Sequence, residues 1–401
     1  MSEYDLAIIG AGVSGLSLAH YARKFGIKAA VIEQTDRVGG AVHTQSFGSD
    51  ASDFWFELGA HTCYNSYARL VGILEDLDMI DQLLPRQKAP YRMLLENELR
   101  SIPSQVGILE FLISIPRILF TSREQKTVAT YYSRVLGKKN FDKVFCHLFN
   151  AVPSQRADDF PADILFKRRQ RRKDILRSFT LTKGLQSMTD AIACEPDLEV
   201  ITGSEVTEIE SGSECFIITT ANDRRYHASH VALATPVNTA ARLLSNIYPD
   251  LAHELTQIDV VNVETTGVAV DKDKLGMEPI AGIVAAGDSF YSIVSRDTIP
   301  HDHYRGFTFH FKPDQLDQEQ AINRIAGVLR VPVSSLQWIT NKRNTLPSFR
   351  IDHGNHVKTI DALIADKNIL MTGNYFDGMS IEDCVLRSLK EINRIFNDLR
   401  G

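Results

Sequence analysis

The residues best suited to chemistry lie near the start of the chain, where Gly10, Gly12 and Gly15 follow an apolar run at residues 6–9 and open a periodic segment at 16–25. The order is strand, glycine turn, helix. Glycine at the first position permits a tight reversal, the second lets backbone N–H groups approach a pyrophosphate, and the third lets the helix pack closely on the sheet. A second apolar run, residues 28–32, ends in Glu33. That is the ~20-residue offset at which an acid accepts hydrogen bonds from an adenosine ribose and disfavours a 2′-phosphate. A dinucleotide is the expected ligand. Gly39 and Gly40 then suit another close backbone approach to a long cofactor. These residues leave NAD and FAD open.

The rest of the chain must position those turns. With 401 residues, 44% hydrophobic and 23% charged, it is long for one domain, and two or three lobes are expected. A net charge of -6 argues against a nucleic-acid binder that works by overall attraction. Cys63, Cys146, Cys194, Cys215 and Cys384 are scattered, with no CxxC pair, which suits free thiols in a reducing compartment. His301 and His303 lie close together without the spacing of a metal site, so no metal is expected. An apolar strand begins almost at once, without a positively charged run ahead of it, so a cytoplasmic location is expected. No apolar run reaches the ~18 residues of a spanning helix.

The stretch EQTDRVGGAVHT, with Arg37 ahead of the paired glycines, resembles the start of the amine oxidase and protoporphyrinogen oxidase superfamily. FELGAH at residues 56–61 looks like its next block. The resemblance implies FAD, with Arg37, Gly39, Gly40, Gly59 and His61 among the residues that hold it. Ala41 stands where monoamine-oxidase-like members usually carry arginine, which weighs against an amine oxidase. Near the other end, Leu346, Pro347, Phe349, His353 and Ile360, followed by Gly373, Asn374, Gly378, Asp383 and Cys384, resemble the oxygen-dependent protoporphyrinogen oxidase pattern. That likeness implies that Gly373, Asn374, Met379, Ser380 and Ile381 meet the flavin. A helix N-terminus pointed at it would stabilise the anionic reduced ring. Cys384 reads as helix packing rather than as a redox thiol. The segment at 178–186 resembles the family's passage back toward FAD, with Lys183 replacing its usual first glycine, and Val206 matches the position whose backbone meets the adenine. PYRMLLENELRSIP resembles the segment that enters the substrate domain. By that likeness Arg92 anchors a substrate carboxylate; the alternative is an ordinary solvated strand arginine.

Two middle stretches have competing readings. Residues 106–120 are strongly apolar and interrupted by Pro116, so they form either a core helix or, as the resemblance implies, a contact with the membrane surface. The basic run Lys167, Arg168, Arg169, Arg171, Arg172, Lys173 and Arg177 is either a solvated face or a surface for anionic headgroups or a carboxylate-rich substrate. Alternating runs between 260 and 338 suggest an antiparallel sheet. Within them Tyr291, Phe307, Phe309 and Phe311 are either plain core or the lining of a flat-ring pocket.

The expected fold is α/β: an FAD-binding Rossmann-like domain (1–85, 178–258, 346–401) interleaved with an antiparallel-sheet substrate domain (86–103, 259–345) and a helical lobe (104–177). The resemblance implies hydride removal from a porphyrinogen, a small-molecule tetrapyrrole, to flavin N5, with O₂ as acceptor, at the inner face of a membrane. Alternatives are a superfamily oxidoreductase acting on an amine, a polyene or a biosynthetic intermediate, and a membrane-associated protein that binds FAD without turnover.

Overall fold

The computed structural model describes residues 3–48, 54–212 and 215–396, so the outer domain bounds at 1 and 401 lie outside the described residues. Its first sheet is built on Tyr4–Ile9, which pairs in parallel with Ala29–Ile32 on one side and Arg225–Leu233 on the other. Glu199–Ile201 extends it, again in parallel. Parallel strands covered on both faces read as continuous apolar runs, which is how these segments look in the sequence. Successive side chains still alternate between faces. Leu6 and Ile8 pack beneath the helices Val13–Lys24 and Ile381–Phe396, whereas Ala7 and Ile9 pack against Val237–Leu244 and His353–Ile364. The runs at 225–228 and 231–236, which the sequence suggests are separate, form one strand. Its first half pairs antiparallel with Phe216–Thr220 and its second half pairs parallel with Ile369–Met371.

The second sheet runs in the order Gln337–Ser348, Asp259–Asp271, Tyr304–Phe311, Phe290–Ser295, Gly282–Ala285, Tyr91–Leu95, Glu98–Ser101. The last two strands are the expected hairpin, turning through Glu96 and Asn97 at φ 50° and 63°. The sheet is not wholly antiparallel: Gly282–Ala285 meets Tyr91–Leu95 in parallel, because these strands come from distant segments. Along Tyr304–Phe311 the alternation decides function. Phe307, Phe309 and Phe311 enter a core with Ile325, Val328 and Leu329 of the helix Gln318–Leu329. Of the two readings of these rings, the structure selects plain core.

The helical lobe has its own core of Tyr131, Tyr132, Phe141, Phe149 and Phe160, to which Phe349 is added from the third segment. The apolar stretch is a helix, Ile108–Ser114, that tightens into a 3₁₀ turn, Ile115–Phe120, where Pro116 lacks the N–H a helix needs. It is not a core helix. Ile108, Leu109, Ile113, Leu119 and Phe120 are 68%, 79%, 69%, 79% and 85% exposed. The lobe's aromatic residues already fill its interior, and the stretch is tied down by Glu110, which accepts N–H bonds from Lys139 and Asn140, and by the Asn140 side-chain amide, which bonds the Gly107 N–H and carbonyl. No helix among the described residues is long and apolar enough to cross a membrane.

Phe309 is fully buried. Phe309→Ala should therefore cost about 3–5 kcal/mol of stability, seen as a lower urea midpoint, because it opens a cavity in the core rather than changing a binding surface.

Candidate active site

Two glycine turns meet back to back at the end of the first sheet. The Gly39 N–H donates to the Ala11 carbonyl at 2.8 Å, and the backbones of Gly12 and Gly39 pair as a bridge. Gly39 has φ 103°, and a β-carbon there would lie 2.6 Å from the Val42 carbonyl oxygen. Arg37 fixes this second turn by donating to the carbonyls of Val38 at 2.9 Å and Gly40 at 2.7 Å. Glu33 is buried and accepts from the Ala11 N–H at 2.8 Å, the Thr35 N–H at 3.0 Å and the Thr35 hydroxyl at 2.8 Å. A carboxylate offers about four acceptor positions, so one remains for a ribose hydroxyl.

These contacts frame a crevice of about 410 Å³. Gly10, Gly12, Glu33, Arg37, Gly40 and Val206 line it from the first two segments. Gly373, Asn374, Met379 and Ile381 line it from the third. Gly15 and Gly39 do not line it; they set the geometry of the turns that do. Cys384 also borders the crevice, and burial pushes its thiol up to about 12, so it stays protonated there. A backbone cradle crowded against β-carbons at Gly10 and Gly40, open N–H groups at a helix start and an acid at the second strand suit a dinucleotide.

A second cavity, about 620 Å³, shares Ala41, Ala60, Asn344, Asn374 and Met379 with the crevice. Gly59, His61 and Ser380 lie on its wall. Ile164, Leu165, Phe166, Val263 and Leu346 make much of its surface apolar. The basic run divides here. Lys167 and Arg169 line the cavity and donate to Asp383 Oδ1 at 3.0 and 2.6 Å, while Arg172 turns away to Glu75 and Asp174. Arg171 also lines the cavity and has no ion pair among the described residues. Asp383 accepts from the Ser380 hydroxyl and backbone at the start of the last helix, so one carboxylate joins that helix to the lobe.

His310 lies on the cavity wall with Nδ1 3.1 Å from the Thr265 hydroxyl. Burial pushes His310 down to about 4, and burial, then Arg86, pushes His61 down to about 3. Both are neutral imidazoles at neutral pH. Behind them, burial raises Glu57 to about 7, against the opposing effect of N–H and O–H bonds from Leu185 at 2.7 Å and Thr44 at 2.8 Å. Burial and then Arg37 push Lys342 down to about 7; its Nζ donates to the Gly40 carbonyl at 2.7 Å on the crevice wall.

Arg92 stands apart. It sits opposite Ser101 and Ile283 toward the far edge of the second sheet and lines neither the crevice nor the cavity. The guanidinium brought to the cavity without an ion pair is that of Arg171. Sequence reasoning also missed His310 and Thr265. The signal was present in the period-two pattern of residues 304–311: once the phenylalanines take the core face, His310 takes the other.

The family of flavin containing amine oxidoreductases matches residues 13–390, and the chain belongs to it; its cofactor is FAD. A structure from Exiguobacterium sp. 255-15, provisionally assigned as a protoporphyrinogen oxidase, superposes with a TM-score of 0.81 at 17% identity over 99% of this chain and 100% of that one. Cyclohexylamine oxidase from Brevibacterium oxydans IH-35A gives 0.73 at 15% identity over 99% and 100%. Among curated proteins, the flavin-dependent L-tryptophan oxidase RebO of Lentzea aerocolonigenes is 35% identical over 78 residues, 20% of this chain and 16% of the relative. The 15-cis-phytoene desaturase of Synechococcus elongatus is 33% identical over 78 residues, 20% of this chain and 16% of the relative. The match thus spans about a sixth of the length of either curated relative. By family the chain falls within the amine oxidase superfamily of flavoproteins.

Glu57 gives the fold a defined pH response. Its raised value means the folded state binds more protons between the ordinary 4.5 and about 7. Its contribution is present in full below the lower value and is lost as pH rises through the upper one. Glu57→Gln should flatten the fall in melting temperature between these two values, followed by calorimetry across a buffer series.

Proposed function

We propose that the protein oxidises a porphyrinogen-type tetrapyrrole with O₂ as final acceptor, using residues 1–85, 178–258 and 346–401 to carry the cofactor. The observation that carries this reading is the 620 Å³ cavity, apolar along most of its wall, cationic at Arg171 and sharing a wall with the dinucleotide crevice. Its size falls in the range of sites that enclose a small-molecule ligand. A porphyrinogen combines a wide apolar macrocycle with carboxylate side chains, and the wall offers a surface for each. The Exiguobacterium structure lends support at the level of fold. Bound FAD would supply the two-electron acceptor, with O₂ taking up the electrons and leaving as H₂O₂.

The chain's own residues do the positioning. Arg171 holds a substrate carboxylate, while Lys167 and Arg169 are kept by Asp383 and shape the wall. The apolar residues exclude water from the macrocycle. His310, held through Nδ1 by Thr265, offers its remaining ring nitrogen as a neutral hydrogen-bonding group on the cavity wall. The start of the helix Ile381–Phe396, with Met379 and Ile381 on the crevice, directs a positive dipole toward the cofactor.

Under anaerobic conditions protoporphyrinogen IX or coproporphyrinogen III should bleach the flavin rapidly, with recovery on admitting O₂; a flavin that stays oxidised with both rules out the substrate reading. Arg171→Ala should raise the half-saturating porphyrinogen concentration by ~10-fold, as expected for loss of one charge-assisted hydrogen bond.

The exposed apolar residues of the lobe support docking on a lipid surface, which would place the protein peripherally on a membrane. Leu109→Glu combined with Phe120→Glu should abolish cosedimentation with phospholipid vesicles while leaving the flavin spectrum unchanged.

A further inference from the structure

Beside the substrate cavity lies a small, partly open chamber of about 30 Å³ that shares His61 and Val294 with it. This is room for about one water-sized or halide-sized group. Two guanidinium groups line the chamber, those of Arg86 and Arg296. Arg86 donates to the His61 carbonyl at 2.9 Å, and Arg296 donates to the Ile299 carbonyl and stacks on Trp55 with 4.5 Å to the ring centre. Neither has an ion-pair partner among the described residues.

The one acid on the chamber wall, Glu57, has its two oxygens engaged by Leu185 and Thr44. Two donors remain unanswered. Arg296 Nε is buried without a hydrogen-bond partner, and so is the hydroxyl of Thr180, a residue 1% exposed on the same wall. Buried donors left without acceptors are costly, and the only acid that attracts the two guanidiniums from this wall, Glu57, already spends its oxygens on Leu185 and Thr44. A negative group of small size answers both.

We propose that this chamber is an anion site that takes one carboxylate or halide against Arg86, Arg296 and Thr180. The shared wall at His61 and Val294 allows the charge to come from either of two sources: a free anion, or a carboxylate carried by a molecule in the main cavity. The inference relies on the oxidoreductase reading only in taking the neighbouring cavity as the substrate's, and its test needs no turnover.

Trp55 lines the chamber, so iodide bound there quenches its fluorescence. In FAD-loaded protein carrying Trp338→Phe to isolate Trp55, iodide should quench in a saturable phase. Arg86→Gln, and separately Thr180→Val, which leaves both arginines in place, should each weaken that phase; the arginine change should do so by ~10-fold. Reversal of quenching by acetate, tightening along a series of longer carboxylates, assigns the site to a carried carboxylate. Reversal by chloride but not by acetate assigns it to a free halide. Linear, unsaturable quenching with the same slope in the parent and both variants overturns the proposal.

Discussion

The contact between the backbones at Gly12 and Gly39 is the constraint on which the rest of the structure depends. It brings the turn after the first strand against the turn after the second, with Gly39 N–H on the Ala11 carbonyl. Glu33 and Arg37 then lock both turns from the side. Once these turns are fused, the crevice is set between the end of the parallel sheet and the start of the first helix, where N–H groups converge on a negative ligand. The second sheet must pack so that its inner face closes over that crevice, and Lys342 reaching the Gly40 carbonyl is part of that closure.

Charge is distributed around the crevice and cavity by division of labour. Asp383 consumes two cations of the basic run and joins the lobe to the last helix. That leaves Arg171 on the main cavity and Arg86 with Arg296 on the side chamber as uncommitted positive charge. The imidazoles of His61 and His310 are kept neutral by burial, so they add hydrogen-bonding capacity without adding to that charge. The cavity is therefore polar at chosen points and apolar between them.

Local chemistry was the most legible part of the sequence. Glycine turns, an acid at the end of a strand and a hairpin through Asn97 all announce themselves over a few residues, because backbone sterics and hydrogen bonding act at that range. What depended on packing between distant segments was harder to read. The phenylalanines of 304–311 looked equally suited to core or pocket until the helix Gln318–Leu329 claimed one face of the strand. Residues 106–120 carried the composition of a core helix, but the aromatic residues of 128–160 fill the lobe and leave them outside. Arg92 and Arg171 could not be ranked from composition, since only the folded chain shows which guanidinium reaches the cavity.

The most direct test of the account is a crystal structure of the FAD-loaded protein. The account predicts pyrophosphate density over the turn at Gly10 and Gly12, and the isoalloxazine ring at the wall formed by Ala41, Ala60, Asn344, Asn374 and Met379, where crevice and cavity join. A ring placed away from that wall, with the 620 Å³ cavity cut off from it, would contradict the claim that the two spaces form one active site.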